Sequence, residues 1–219
     1  YFSLAEQQES EIKLEFIDMR GNIIQTYSST GDSCGRPVRE SALFYEEDDD
    51  TPPTVVPNEA GLNKFVWNLR YPGVTNLDGR QIMWSGNTDG PSAIPGTYTV
   101  RLHIGDEMVA EQNFEVMKDP RLVEVTQDDL IAQFELVQTI NAKLDTTHKS
   151  INRIRAVTEE ISELMKEVDD NEELSIKASE LLKAIADIEQ QLVQTKAEAG
   201  QDLLNFPIRL NNKLAALKG

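Results

Sequence analysis

The chain has 219 residues, enough for one large domain or two small ones, with 39 % hydrophobic and 27 % charged side chains, the balance of a folded soluble protein. Thirty-eight acids against 21 bases leave a net charge of −17, which argues against nucleic acid and against an anionic membrane surface as partners, because both need clustered Lys and Arg. No apolar run reaches the ~18–20 residues of a membrane span, so membrane insertion is not expected.

No signal peptide is visible, and the chain starts at Tyr1, so it reads as a piece of something longer. Cys34 is the single cysteine, which excludes an intrachain disulfide and a Cys-based zinc site.

The first half alternates polar and apolar residues with period two. Glu11 to Ile17 places Ile12, Leu14 and Phe16 on one face. Asp18 to Gly21 turns the chain, and Asn22 to Tyr27 returns as the second strand of a hairpin. Phe65 to Leu69 predicts another short strand with Phe65, Trp67 and Leu69 on one face. Gly96 to Ile104 is the cleanest strand, with Tyr98, Val100, Leu102 and Ile104 opposite Thr97, Thr99, Arg101 and His103. Gly105-Asp106 turns it, and Met108 to Val116 returns. These strands predict an immunoglobulin-like β-sandwich over residues 1–120, with long loops at 29–60 and 71–95.

Composition switches at Asp119-Pro-Arg121. Thr126-Gln-Asp-Asp129 carries the hydroxyl and acid of a capping box. Leu130, Phe134, Val137, Ile140, Leu144, Ile151, Ile154, Ile161, Leu164 and Val168 then recur at helical spacing, predicting a helix over about 127–168. Asp169-Asp-Asn171 stops it. Leu174, Ala178, Leu181, Ile185, Ile188 and Leu192 form a heptad stripe over about 172–198, so an antiparallel coiled-coil hairpin is expected. Pro207 opens a short third helix over about 207–218, and the bundle over 121–219 reads as truncated. The fold class is therefore α+β with two segregated domains.

The sequence holds no Walker loop, dinucleotide fingerprint, HExxH or Gly-x-Ser-x-Gly elbow. No catalytic residue, cofactor-binding residue or metal ligand is singled out. His103 reads as a surface histidine on the polar side of a strand, and His148 as a polar break in the helical stripe, open to a mild pH response. The run Glu46 to Asp50 offers oxygen ligands for calcium, but lacks EF-hand spacing and reads as a solvated loop. Trp67 alternates with apolar neighbours and belongs in the core. Trp84, in a Gly- and Asn-rich loop, and Tyr71 are the candidate stacking platform for a sugar; the competing reading makes Trp84 a loop anchor over the sandwich.

Three segments carry a family resemblance: Gly61-Leu-Asn-Lys-Phe-Val-Trp-Asn-Leu-Arg-Tyr-Pro72, Ala93-Ile-Pro-Gly-Thr-Tyr-Thr-Val-Arg-Leu102, and Leu204-Asn-Phe-Pro-Ile-Arg-Leu-Asn-Asn-Lys-Leu-Ala-Ala-Leu217. Together with Asp119-Pro-Arg121 they resemble the C-terminal region of bacterial, Bacteroidetes-type, sortilin-like β-propeller proteins with sialidase-type repeats, described as glycosyl hydrolases. The β half is also similar to the immunoglobulin-like module of the flagellar hook-capping protein, through its Asp18-x-x-Gly21 hairpin and Pro95-Gly-Thr-Tyr98. The first resemblance implies an exported, periplasmic, cell-envelope or extracellular protein whose hydrolytic site, if any, lies in an upstream propeller. It implies that this chain is a non-catalytic accessory region, a spacer or protein-docking element with the propeller as its partner. The alternatives are a carbohydrate-binding module using Trp84 and Tyr71, or a part of the hydrolase that completes the propeller's site. Whether the helical stripe pairs within one chain or between two stays open.

Overall fold

The computed structural model describes residues 1–30, 55–77, 86–167, 172–197 and 199–218. It has mixed α and β content: two antiparallel sheets, then three α-helices. The strands are β1 (Phe2–Leu4), β2 (Ile12–Ile17), β3 (Ile23–Ser28), β4 (Gly61–Asn63), β5 (Gly96–Ile104) and β6 (Glu107–Val116). The helices are α1 (Gln127–Glu167), α2 (Glu172–Leu192) and α3 (Leu210–Ala216), with a 3-10 turn at Gly200–Leu204.

The chain divides into two compact units. Unit one holds Tyr1–Pro72 and Asp89–Leu136; unit two holds Gly73–Thr88 and Val137–Gly219. Helix α1 therefore contributes its first residues to one unit and the remainder to the other.

In unit one, β3-β2-β5-β6 form a four-stranded antiparallel sheet and β1 pairs with β4 in a second, two-stranded one. The β2–β3 hairpin is closed by its own turn chemistry. The Asp18 carboxylate accepts the Arg20 and Asn22 backbone N–H groups, each at 2.8 Å, and Gly21 takes φ +82°, which costs a glycine little. Alternation then sorts the faces. Ile12, Leu14 and Phe16 are buried, and register places them opposite Ile104, Leu102 and Val100 of β5. The opposite face is polar: Arg101 Nε meets Glu111 at 2.6 Å, and His103 Nε2 meets Glu15 at 3.1 Å.

The core of this unit is aromatic. Phe16 stacks on Trp67 with centroids 4.6 Å apart and meets Tyr27 edge-on at 5.8 Å. Trp67 in turn lies edge-on to Phe114 at 6.1 Å. Geometries of this kind contribute beyond the area they bury, about 0.5–1.5 kcal/mol per pair. Trp67 is thus a core residue, as its alternation implied. Its segment, however, is not a strand. Leu69 adopts φ +58° and is exposed, and Asn68 Oδ1 accepts the Arg70 N–H at 3.1 Å, so the extended run breaks where the alternation predicted its third inward residue. The pairing that follows it is one isolated bridge among the described residues, Arg70 opposite Ser92, flanked by the Ala93 N–H on the Leu69 carbonyl at 2.7 Å and the Tyr71 N–H on the Pro91 carbonyl at 2.9 Å.

In unit two, α1 buries Ile140, Leu144, Thr147, His148 and Ile151, one helical stripe. Arg155 of α1 pairs with Glu189 of α2 at 2.7 Å. Helix α3 buries Asn211, Asn212 and Ala215.

Candidate functional site: a backbone strap clamped to the long helix

The most organised polar cluster lies in unit two, where residues 73–77 run as a strap without regular structure over α1. Three side chains on one side of α1 hold it. The Asp145 carboxylate accepts the Thr75 N–H at 2.8 Å and the Thr75 hydroxyl at 2.7 Å. His148 Nδ1 lies 2.6 Å from the Thr75 carbonyl. Asn152 Nδ2 donates to the Asn76 carbonyl at 2.9 Å. Positions 145, 148 and 152 fall within about two helical turns on neighbouring rows, so one helix face presents an acceptor, a ring nitrogen and an amide to one backbone segment.

Apolar plugs flank the clamp. Val74 packs with Leu144 and Ala215. Leu77 packs with Ile151 and Val193. The strap's return is also fixed, since the Val74 N–H bonds to the Thr88 carbonyl at 2.9 Å and Lys218 Nζ donates to the Asn87 carbonyl at 2.9 Å.

The electrostatics follow from this geometry. Burial works against the Asp145 charge, yet the hydrogen bonds from Lys149, at 2.7 Å, and from Thr75 outweigh it, and the carboxyl stays below its ordinary range. His148 is 0 % exposed. A carbonyl only accepts, so Nδ1 carries the proton and Nε2 is the bare nitrogen. Among the described residues nothing donates to that Nε2. Burial, opposed by the Thr75 bond and the nearby Asp145 charge, holds the imidazole below its usual value. Chemically the arrangement recognises main chain: it grips two consecutive peptide carbonyls and one amide.

The residues nominated from sequence fall elsewhere. Tyr71 belongs to unit one, half-buried, with its ring edge-on to Phe134 at 4.8 Å. Burial first, then the neighbouring Tyr98 and Asp18, push its phenol well above the ordinary tyrosine range. Trp84, Cys34 and the run Glu46 to Asp50 lie outside the described residues. His103 sits on the sheet's polar face beside Glu15. Asp145 and Asn152 are missed by motif reading. Their one signal is that polar residues interrupt an apolar helical stripe, and a buried polar side chain requires a partner.

Among the described residues no three His, Cys, Asp or Glu side chains gather as metal ligands, and no helix is long and apolar enough to cross a membrane. No protein-family model, curated protein or solved structure matches this chain.

Proposed function

We propose that this chain is a non-catalytic accessory region of a larger exported protein, with a spacer and protein-docking role. In this reading unit one is an immunoglobulin-like sandwich, and α1 and α2 form an antiparallel hairpin with a coiled-coil seam. The larger protein is of the sortilin-like propeller type that the segments Gly61–Pro72, Ala93–Leu102 and Leu204–Leu217 resemble, and the propeller is the natural partner.

One observation carries the docking role. Along α2 a two-row stripe that includes Ala178, Leu182, Ile185 and Leu192 is half-buried, whereas Leu174, Leu181 and Ile188, spaced seven residues apart along its flank, stay 43 %, 50 % and 52 % exposed. An apolar row left exposed beside the filled stripe favours a further packed element, because apolar surface aligned along one helix face is covered when a partner packs on it. The strap supports the spacer role, since it ties an irregular segment rigidly to the helix. The polar side chains of that cluster grip the chain itself, which is architecture and not turnover.

The test is removal of residues 1–219 from the full-length protein. Turnover by the remaining propeller should persist while its co-purifying protein partner is lost; loss of turnover from an intact propeller would sink the accessory reading. A glycan array tests the carbohydrate alternative. Binding that disappears in Trp84→Ala would replace protein docking by sugar recognition.

A further inference from the structure

The strap clamp contains one group whose proton count matters near neutral pH. The ring of His148 is fully buried, its Nδ1–H donates to the Thr75 carbonyl at 2.6 Å, and its Nε2 has no donor or acceptor opposite it among the described residues. A second proton on the ring would have to sit at Nε2, adding a buried N–H with no acceptor and a buried positive charge. Opening the strap removes that penalty, because it admits water to the ring.

We propose that His148 is a proton-operated latch, which holds the strap Gly73–Leu77 on helix α1 when neutral and releases it when the ring takes a second proton.

The surrounding charges do not abolish the effect. On α1, Asp145 one turn earlier favours the imidazolium, but its carboxylate is already shared between Thr75 and Lys149. Arg155, two turns later, opposes the imidazolium and is itself paired with Glu189 of α2. The strap brings only the uncharged Thr75 and Asn76 to the helix. Helix α3 buries two neutral asparagines, Asn211 and Asn212, and leaves Lys213 exposed.

The sign is fixed by linkage. The docked ring has a lowered affinity for protons. The released ring titrates near the ordinary value of about 6.5. The open state therefore binds more protons, and the clamp is fully held above about pH 6.5 and weakens as pH falls below it. One linked proton raises the opening equilibrium by up to about tenfold per pH unit in that window. Asp145 acts in a separate window, since its carboxyl stays below the ordinary acid range.

Hydrogen exchange at the Val74 and Thr75 amides reads the latch directly, because one bonds to Thr88 and the other to Asp145. Between pH 7 and 5, protection corrected for intrinsic rates should fall by up to about tenfold per unit, while the Tyr98 amide in the sheet stays protected. In His148→Gln the fall should disappear. Nitrogen-15 shifts of the wild-type ring, which need no variant to fold, should show the Nδ1–H tautomer at pH 7 and a titration that tracks strap opening. Protection that is unchanged from pH 7 to 5, an equal fall in His148→Gln, or an Nε2–H tautomer at neutral pH would each overturn the latch.

Discussion

Gly90 is the residue where shape alone decides the sequence. A Cβ there would lie 1.8 Å from the Tyr71 carbonyl oxygen, which is backbone and cannot swing aside. Gly90→Ala should therefore destabilise the fold by an amount in the upper part of the usual range of about 0.5–3 kcal/mol for point substitutions, read as a lowered melting temperature. Tyr27 makes a different demand. Burial pushes its phenol up to about 12, against about 10 for an unfolded chain. The unfolded state thus loses a proton that the folded state keeps, so this contribution is complete below about pH 10 and is lost as pH rises toward 12. Spectrophotometric titration should show part of the tyrosine signal appearing only with unfolding. Neither property is written in sequence. Gly90 resembles any loop glycine, and Tyr27 resembles any strand tyrosine, until the neighbours that crowd them are known.

The elements differ in how openly they declare themselves. Strand β5 is legible because nine residues alternate without interruption; β2 keeps its register on it throughout, and β6 does so up to a shift between Leu102 and His103. Strands β1 and β4, three residues each, are too short for any periodicity to register. Phe65–Leu69 shows alternation without a ladder, since inward side chains require only an extended chain and not a paired one. Helix α1 announces its start. Asp129 accepts the Thr126 N–H at 2.9 Å, and Thr126 Oγ1 accepts the Asp129 N–H at 3.1 Å, a reciprocal box read from residue types alone. Thr126→Ala should cost about 0.5–2 kcal/mol in urea unfolding, and Thr126→Ser much less. The strap is the opposite case. Val74-Thr-Asn-Leu77 has no pattern, and its partners are 70 to 76 residues away, so its clamp emerges only when α1 is built.

Charge acts on the whole molecule. With 38 acids and 21 bases, compaction brings like charges together, and the cost is largest where counterions are few. Adding sodium chloride from about 0.02 to 0.5 M shortens the Debye length from about 20 Å to about 4 Å, and should raise the melting temperature. A flat or falling response in calorimetry would show that local ion pairs such as Arg155–Glu189 outweigh the general repulsion. The same charge bears on the exposed row of α2. Leu181→Glu with Ile188→Glu adds two further negatives at half-exposed sites; the monomer should keep its helical circular dichroism while any sedimenting complex through that row is lost.

The strap also sets an order of events during synthesis. Val74 and Leu77 leave the ribosome about 70 residues ahead of the helix segment that covers them, which at roughly 5–20 residues per second is a delay of several seconds. Ala215, which closes over Val74, comes later still. Through that interval the nascent chain carries apolar residues that belong to a core not yet made, while strands β5 and β6, which follow them in the chain, are being synthesised. A sequence of modest hydrophobicity, punctuated by threonine and asparagine, suits a segment that must wait in water for its partners.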